Sequence, residues 1–318
     1  MSEPGPPDVL RVDEVDSPQP GSGEVLIAVV AAGVNRADLL QRQGHYPPPP
    51  GASELLGLEV SGTVAEVGPG VSGWSVGDPC IALLAGGGYA EYVVAPAGQV
   101  VPPPPGMDLV AAAGAIEVAA TVSSNLELAR LARGEVFLVH GGAGGIGSFA
   151  IQYAKALGAT VISTAGSEEK LAYCRSVGAD FAISYRGDWP GEVKAATDGH
   201  GADVILDNMG AKYLDDHVQL MATNGRLIII GMQGGTKGQL DIGTLMRKRG
   251  SVVSNSLRAR PVEEKTAICA RVVASVWPMI KSGAVVLPTA TTFPFAEAAA
   301  AHALLESGDS IGKIILTA

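Results

Sequence analysis

Three glycines set the first chemical expectation. Gly142, Gly144 and Gly147 spell G-x-G-x-x-G within residues 135–158, Glu-Val-Phe-Leu-Val-His-Gly-Gly-Ala-Gly-Gly-Ile-Gly-Ser-Phe-Ala-Ile-Gln-Tyr-Ala-Lys-Ala-Leu-Gly. Residues without a Cβ let backbone N–H groups approach a pyrophosphate, and a helix opening there adds a partial positive charge. The motif alone is weak: Gly68, Gly70 and Gly73 repeat it, but Trp-Ser-Val-Gly-Asp-Pro follows and cannot open a helix. That copy reads as a surface turn. At Gly142 both flanks are right. Residues 136–139 are an unbroken apolar run, as in a strand buried on both faces. Ile146, Phe149, Ala150, Tyr153, Ala154 and Leu157 recur at helical spacing, and Gly158 stands where a helix C-cap would.

Other chemistries are excluded by context. Gly73-Trp74-Ser75-Val76-Gly77 matches the G-x-S-x-G nucleophile elbow, which needs a strand before it and a helix after it. A turn precedes it and Asp78-Pro79 follows. The five histidines, His45, His140, His200, His217 and His302, form no H-x-x-x-H, and no cysteine pair has chelating spacing. His140, at the end of the buried run, reads as a packed core residue, and His302, in an alanine-rich helix, as a surface one. Asn35, Asp38 and Tyr46 cluster just after a strand. Spacing alone reads them as a helix N-cap at Asn35 or Asp38, with Arg36 and Arg42 solvated.

The elements that must position these residues fall into three blocks. Residues 1–112 are rich in strands and loops, with strand candidates at 25–30, 60–67, 81–84 and 89–94. Prolines and glycines punctuate them, including two four-proline runs that read as extended loops; a compact, partly open β-barrel is expected. Residues 113–250 alternate strands (136–139, 160–165, 181–184, 204–207, 227–230) with helices starting near Gly144, Ser167, Pro190 and Lys212. Such alternation implies a doubly wound parallel α/β sheet with ligand loops at the strands' carboxyl ends. In residues 251–318, helices over 262–281 and 296–307 and a strand at 313–316 return to complete the first domain.

Composition bounds the partners. The chain has 318 residues and a formal net charge of −10, which argues against nucleic-acid or anionic-membrane binding. No unbroken apolar run reaches the ~18 residues of a membrane span, and the start has no signal-peptide character. Three widely spaced cysteines, Cys80, Cys174 and Cys269, suit a reducing cytoplasm.

Several stretches resemble one family. Ala32-Gly-Val-Asn-Arg-Ala-Asp-Leu-Leu-Gln-Arg-Gln-Gly-His-Tyr-Pro-Pro-Pro-Pro-Gly-Ala-Ser, then Leu56-Gly-Leu-Glu, resemble quinone oxidoreductases of the zinc-independent medium-chain dehydrogenase/reductase superfamily, nearest the branch with the p53-inducible quinone oxidoreductase. Gly86-Gly-Gly-Tyr-Ala-Glu-Tyr, His140-Gly-Gly-Ala-Gly-Gly-Ile-Gly, Thr164-Ala-Gly-Ser and Gly312-Lys-Ile-Ile-Leu match as well. The resemblance implies a GroES-like, partly open β-barrel catalytic domain, an inserted Rossmann domain and a homodimer. It implies NADPH-dependent reduction of a quinone or conjugated carbonyl by hydride transfer. Alternatives are an enoyl-thioester or alkenal reductase and a low-turnover NADPH-binding protein.

By resemblance, Asn35 and Tyr46 line the nicotinamide and substrate cleft, Tyr46 being a candidate proton donor, and Thr121 lies near the nicotinamide. Gly144, Gly145 and Ile146 form the pyrophosphate loop, and Gly166, Ser167, Lys170 and Tyr185 surround the adenosine ribose and its phosphate. Asn208, Gly231 and Met232 lie on later cofactor loops. The chain departs from the family at its start and at Ile116 and Ser123, where the family carries proline and an aromatic. For NADPH over NADH the residues themselves speak: an NAD site carries a carboxylate at the end of the second strand, and Ala165-Gly166-Ser167 stands there instead. Glu168 and Glu169 read as first-turn helix residues facing solvent.

Zinc-bearing relatives carry cysteine where Asn35 stands and histidine where Leu58 stands. Purified protein should therefore hold no stoichiometric zinc, and a chelator should leave turnover intact; bound zinc with chelator-sensitive turnover would contradict this.

Overall fold

The computed structural model describes residues 3–318; Met1 and Ser2, the start of the stretch read above as lacking signal character, lie outside the described residues. The strands in chain order are β1 (Glu24–Val34), β2 (Glu59–Val67), β3 (Pro79–Leu83), β4 (Tyr92–Pro96), β5 (Val100–Val101), β6 (Val136–His140), β7 (Thr160–Ala165), β8 (Phe181–Ser184), β9 (Ala202–Asp207), β10 (Met221–Ile229), β11 (Ser251–Ser254), β12 (Ala290–Pro294) and β13 (Lys313–Thr317). The α-helices are α1 (Arg36–Arg42), α2 (Leu109–Ala112), α3 (Ile116–Leu128), α4 (Gly145–Leu157), α5 (Glu168–Ser176), α6 (Trp189–Ala196), α7 (Leu214–Leu220), α8 (Ile242–Lys248), α9 (Val262–Arg271), α10 (Trp277–Lys281) and α11 (Ala298–Ser307). Two units result. One takes the chain to Ala120 with Leu257–Gly283 and Leu287–Ala318; the other takes Thr121–Ser256 and Ala284–Val286.

The first unit is built on β1. Its run Val-Leu-Ile-Ala-Val-Val-Ala-Ala-Gly-Val is mostly buried, and it pairs with β2 on one side and with β4 and β13 on the other. β2 and β3 pair antiparallel, as do β3 and β5, while β12 pairs parallel to β13. Register breaks at Leu26/Ile27 and Val29/Ala31 bend β1, which is how a sheet begins to curl into a barrel. Val25, Ile27, Val29, Val60, Val64, Ala82 and Val93 share one core beneath it. β1 pairs Val34 with Ile314 and Ala32 with Val60. One step further in each register, Asn35 comes level with Lys313 and Gly33 with Glu59. The sheet thus gathers three polar side chains at one end.

The second unit is a six-stranded parallel sheet in the order β11-β10-β9-β6-β7-β8. Sequence order runs outward in both directions from β6 and β9, so the connections leave on opposite faces there and open a crevice at the carboxyl ends. Leu138, Ile162, Ile205, Leu220 and Leu227 join a core on this sheet. β11 is an edge strand whose side chains are only partly covered.

Three local readings are corrected. Residues 262–281 do not form one α-helix: a π-turn over Val272–Val276 separates α9 from α10. Pro278, without an N–H, forces the backbone to re-register there. β5, α2, α3, α8 and β12 were not expected. Finally, Leu109–Leu128 is apolar and long enough to cross a membrane by length and composition, but 67% of its most apolar window is buried within the protein. Packing inside a folded core accounts for its character.

Candidate functional site

In the second unit the glycine motif lies where the strand order reverses. Gly142 and Gly147 are glycines for packing: a Cβ on Gly142 would stand 1.9 Å from Ser163 Oγ, and one on Gly147 2.3 Å from the Gly141 carbonyl oxygen. Gly144 differs. It is the N-cap of α4 with φ −82° and no side-chain cap, and a Cβ there would meet only Gly141 O, at 3.5 Å. The space above it is open, and the uncapped N–H groups of Gly145 and Ile146 begin the helix. Asn208, just beyond β9, reaches the other side of the crevice. Its Nδ2 donates to His140 O at 3.5 Å, while its buried Oδ1 has no partner among the described residues. Open space over a helix N-terminus, with an orphaned polar atom beside it, fits a phosphate-bearing cofactor.

The end of β7 brings three expected residues together. Gly166 lies directly under Tyr185, whose hydroxyl would be 2.1 Å from a Cβ on it. Ser167 caps α5 by accepting from Lys170 N at 3.4 Å, which leaves its own proton to donate. Lys170 is half-buried. Glu168 and Glu169 are exposed, and Glu168 pairs with Arg175 at 2.7 Å. Gly231 packs on Asn208, leaving 2.9 Å between a Cβ there and Asn208 O, whereas Met232 is 57% exposed. Thr121, on α3, is buried, and its carbonyl accepts from Asn125 Nδ2 at 2.7 Å.

The first unit holds Asn35 and Tyr46. Asn35 caps α1, its N–H donating to Asp38 Oδ2 at 2.8 Å. Its amide is held at both ends: Nδ2 donates to Glu59 Oε1 at 3.0 Å and Gly33 O at 3.4 Å, and Oδ1 accepts from Lys313 Nζ at 2.5 Å. Lys313 Nζ also pairs with Glu59 Oε1 at 2.6 Å, both side chains being nearly inaccessible. Glu59 Oε2 accepts the Glu117 N–H at 3.0 Å. Gly33 permits this arrangement, since a Cβ there would meet Glu59 Oε1 at 2.2 Å. These residues do not fit a zinc ion. An amide stands at one ligand position, the buried alkyl Leu58 at another, and the Lys313 ammonium is bonded to the Glu59 carboxylate.

Asp38 extends the cluster. Its carboxylate accepts Gly57 N at 3.0 Å and Tyr89 OH at 3.3 Å, and Tyr89 OH lies 3.1 Å from His302 Nε2. Loss of water pushes Asp38 up to about 6, against the pull of the Asn35 and Gly57 N–H groups and of Lys313. His302 is a correction: it is fully buried, and burial lowers it to about 3. Tyr89 supplies the polar partner that lets α11 turn this imidazole inward. Arg42 is another. It is fully buried, its Nε donating to Gly5 O at 3.1 Å and its Nη2 pairing with Glu306 at 2.8 Å. The N-cap at Asn35 stands as spacing suggested.

Tyr46 is half-buried beneath a residue the sequence did not flag. Arg258 Cζ lies 5.2 Å from the Tyr46 ring centroid. Its Nη1 donates to Tyr46 O at 3.1 Å, its Nε to Ala85 O at 2.8 Å, and its Nη2 to Gln41 Oε1 at 2.6 Å. One guanidinium therefore fixes the Tyr46 loop, the end of α1 and the entry to the Gly86-Gly-Gly turn.

The elevated Asp38 has a consequence for stability. The folded state holds this proton more tightly than an unfolded chain, where the ordinary value is 3.8. The associated stabilisation is complete below that value and is lost as pH rises through about 6. Denaturant unfolding from pH 4 to pH 7 should show this decline, and Asp38→Asn, which cannot titrate, should remove up to about 3 kcal/mol of it. An unchanged slope in the variant would contradict the assignment.

Comparison with known proteins agrees with this geometry. The chain matches the family models described as alcohol dehydrogenase GroES-like domain over residues 21–105 and zinc-binding dehydrogenase over residues 145–271. A mycocerosic acid synthase-like polyketide synthase of Mycobacterium tuberculosis is 31% identical over 319 residues; the match takes in 98% of this chain but only 15% of that protein's length. A quinone oxidoreductase of Rattus norvegicus is 32% identical over 318 residues, which is 98% of this chain and 94% of the relative. The solved structure of Escherichia coli quinone oxidoreductase complexed with NADPH aligns with a TM-score of 0.88 at 28% identity, over 99% of this chain and 98% of that one. CurK enoyl reductase aligns with a TM-score of 0.88 at 27% identity, over 100% and 97%. Matched at full length in sequence by one relative and in fold by these structures, the chain belongs to the medium-chain dehydrogenase/reductase superfamily, with quinone oxidoreductases among its homologues.

Proposed function

We propose that this chain reduces quinones or related electrophilic conjugated carbonyls with NADPH, by hydride transfer that needs no zinc. The observation that carries the reading is the open N-terminus of α4 at the strand-order reversal, followed at the end of β7 by Ser167 and Lys170 in place of a carboxylate. Gly144, Gly145 and Ile146 would hold the pyrophosphate by backbone N–H groups, and Ser167, Lys170 and Tyr185 the ribose 2′-phosphate. Asn208 Oδ1 has an acceptor position to offer. NADPH supplies the hydride when bound. Asn35, kept in one orientation by Lys313 and Glu59, and Tyr46, kept by Arg258, are assigned to the nicotinamide and the acceptor. No metal polarises the acceptor carbonyl, so N–H and O–H donors stabilise its developing charge, and Tyr46 is the candidate proton donor.

A second reading is reduction of an enoyl thioester. It is favoured by the likeness to a polyketide synthase and to an enoyl reductase. The two readings differ in whether a proton must reach a substrate α-carbon. We also propose a homodimer paired along β11, an edge strand of the parallel sheet that follows α8 with its exposed Ile242 and Met246.

NADPH oxidation should be measured with quinones, enals and enoyl thioesters in parallel. Turnover of quinones above the others supports the first reading, preference for enoyl thioesters the second, and NADPH binding without oxidation by any of them contradicts both. Lys170→Ala removes a charge-assisted contact of ~1.5–3 kcal/mol. It should weaken NADPH roughly 10- to 150-fold and leave NADH nearly unchanged; equal loss for both would refute the 2′-phosphate assignment. Light scattering at micromolar concentration should give a dimer, and monomer alone would contradict the β11 interface.

A further inference from the structure

Beneath the dinucleotide loops lies a buried polar chain that the proposed chemistry does not use. His140 ends β6, Thr164 is the penultimate residue of β7, Asp207 ends β9, and His217 rises from α7. His140 Nδ1 is 2.9 Å from Thr164 Oγ1, and His140 Nε2 is 2.8 Å from His217 Nε2. His217 Nδ1 has no hydrogen-bond partner among the described residues, and Asp207 Oδ2 lies 3.9 Å from it. Asp207 in turn accepts Met209 N at 2.7 Å and Gly210 N at 2.8 Å. The Trp189 and Tyr213 rings close the site, with centroids 4.9 Å and 5.0 Å from that of His140.

Proton bookkeeping gives this chain a direction. Burial lowers both imidazoles, His217 to about 3, so the pair is neutral and the Asp207 contact is no ion pair. A single proton lies between the two Nε2 atoms. If His217 supplied it, a bare Nδ1 lone pair would face the Asp207 carboxylate, with both side chains fully buried. If His140 supplies it, His217 carries its proton on Nδ1 and turns an N–H dipole toward that carboxylate. His140 Nδ1 is then an acceptor, and Thr164 O–H donates to it.

We propose that Thr164, His140, His217 and Asp207 form one directed chain that fixes the relative positions of the β6, β7 and β9 ends, making His217 a positioning residue for the dinucleotide. The inference rests on the NADPH reading. Each strand end so tied leads straight into a cofactor loop: residues 141–147, 166–170 and 208–210. The loops are joined by backbone as well, Gly142 N donating to Thr164 O at 3.0 Å.

The test is made on the full chain. Nitrogen-15 histidine spectra of wild type should show His140 as the Nε2–H tautomer and His217 as the Nδ1–H tautomer; the opposite pair overturns the proposal. NADPH titrations should show His217→Phe weakened roughly tenfold with its unfolding temperature kept. His217→Gln, whose amide can accept from His140 and donate toward Asp207, should recover most of the affinity. Thr164→Val should weaken NADPH as well, and the double variant should be less than additive. Should His217→Phe fail to fold, Thr164→Val decides, since it removes only the hydroxyl that starts the chain. Folded variants that bind NADPH like wild type overturn this proposal alone, whereas wild type that binds no NADPH overturns the cofactor reading with it.

Discussion

A parallel sheet can be covered on both faces only if its connections leave in opposite directions somewhere, and in this chain that place is the gap between β6 and β9. The consequences for the second unit follow from it. The loop after β6 has no connection crossing above it, so Gly144 faces open space. The helix that starts there must begin uncapped, because a capping side chain would fill that space. The strands flanking β6 carry polar residues at or next to their ends, Thr164 in β7 and Asp207 in β9, in a region otherwise lined by Leu, Ile and Val. Buried polar groups persist where they are bonded to one another.

The first unit obeys a different constraint. Its long strand β1 has partners along both edges, so register decides which side chains meet at its end. Asn35, Glu59 and Lys313 meet there, and the ammonium neutralises the buried carboxylate. A one-residue slip of β13 would carry Lys313 to the other face and leave Glu59 as a buried, unpaired charge. The cluster thus ties the final strand of the chain to its first helix.

Much of this was legible in the sequence, for identifiable reasons. The strands of the parallel sheet are short apolar runs bounded by glycine, and the Gly142 motif was separable from its Gly68 copy by flanks alone. β5 and β12 escaped because one has two residues and the other is mostly exposed, so neither carries a periodic apolar signal. Lys313 and Arg258 escaped because their partners are distant: Lys313 meets Asn35 across 278 residues and Arg258 meets Tyr46 across 212. His302 was misplaced because an alanine-rich helix does not announce which face is inside. Polar side chains whose role depends on a partner elsewhere in the chain leave no local pattern.

In the proposed reading, the cofactor's phosphates sit in the opening above Gly144. Gly144→Ala tests it directly, because the backbone there is ordinary for an alanine and a Cβ would have only a 3.5 Å neighbour. Alanine is a poorer N-cap than glycine, but the loss of glycine's freedom in the unfolded chain offsets this by a similar amount. The variant should keep a nearly unchanged unfolding temperature and bind NADPH at least roughly tenfold more weakly. Undiminished NADPH affinity in the folded variant would contradict that reading.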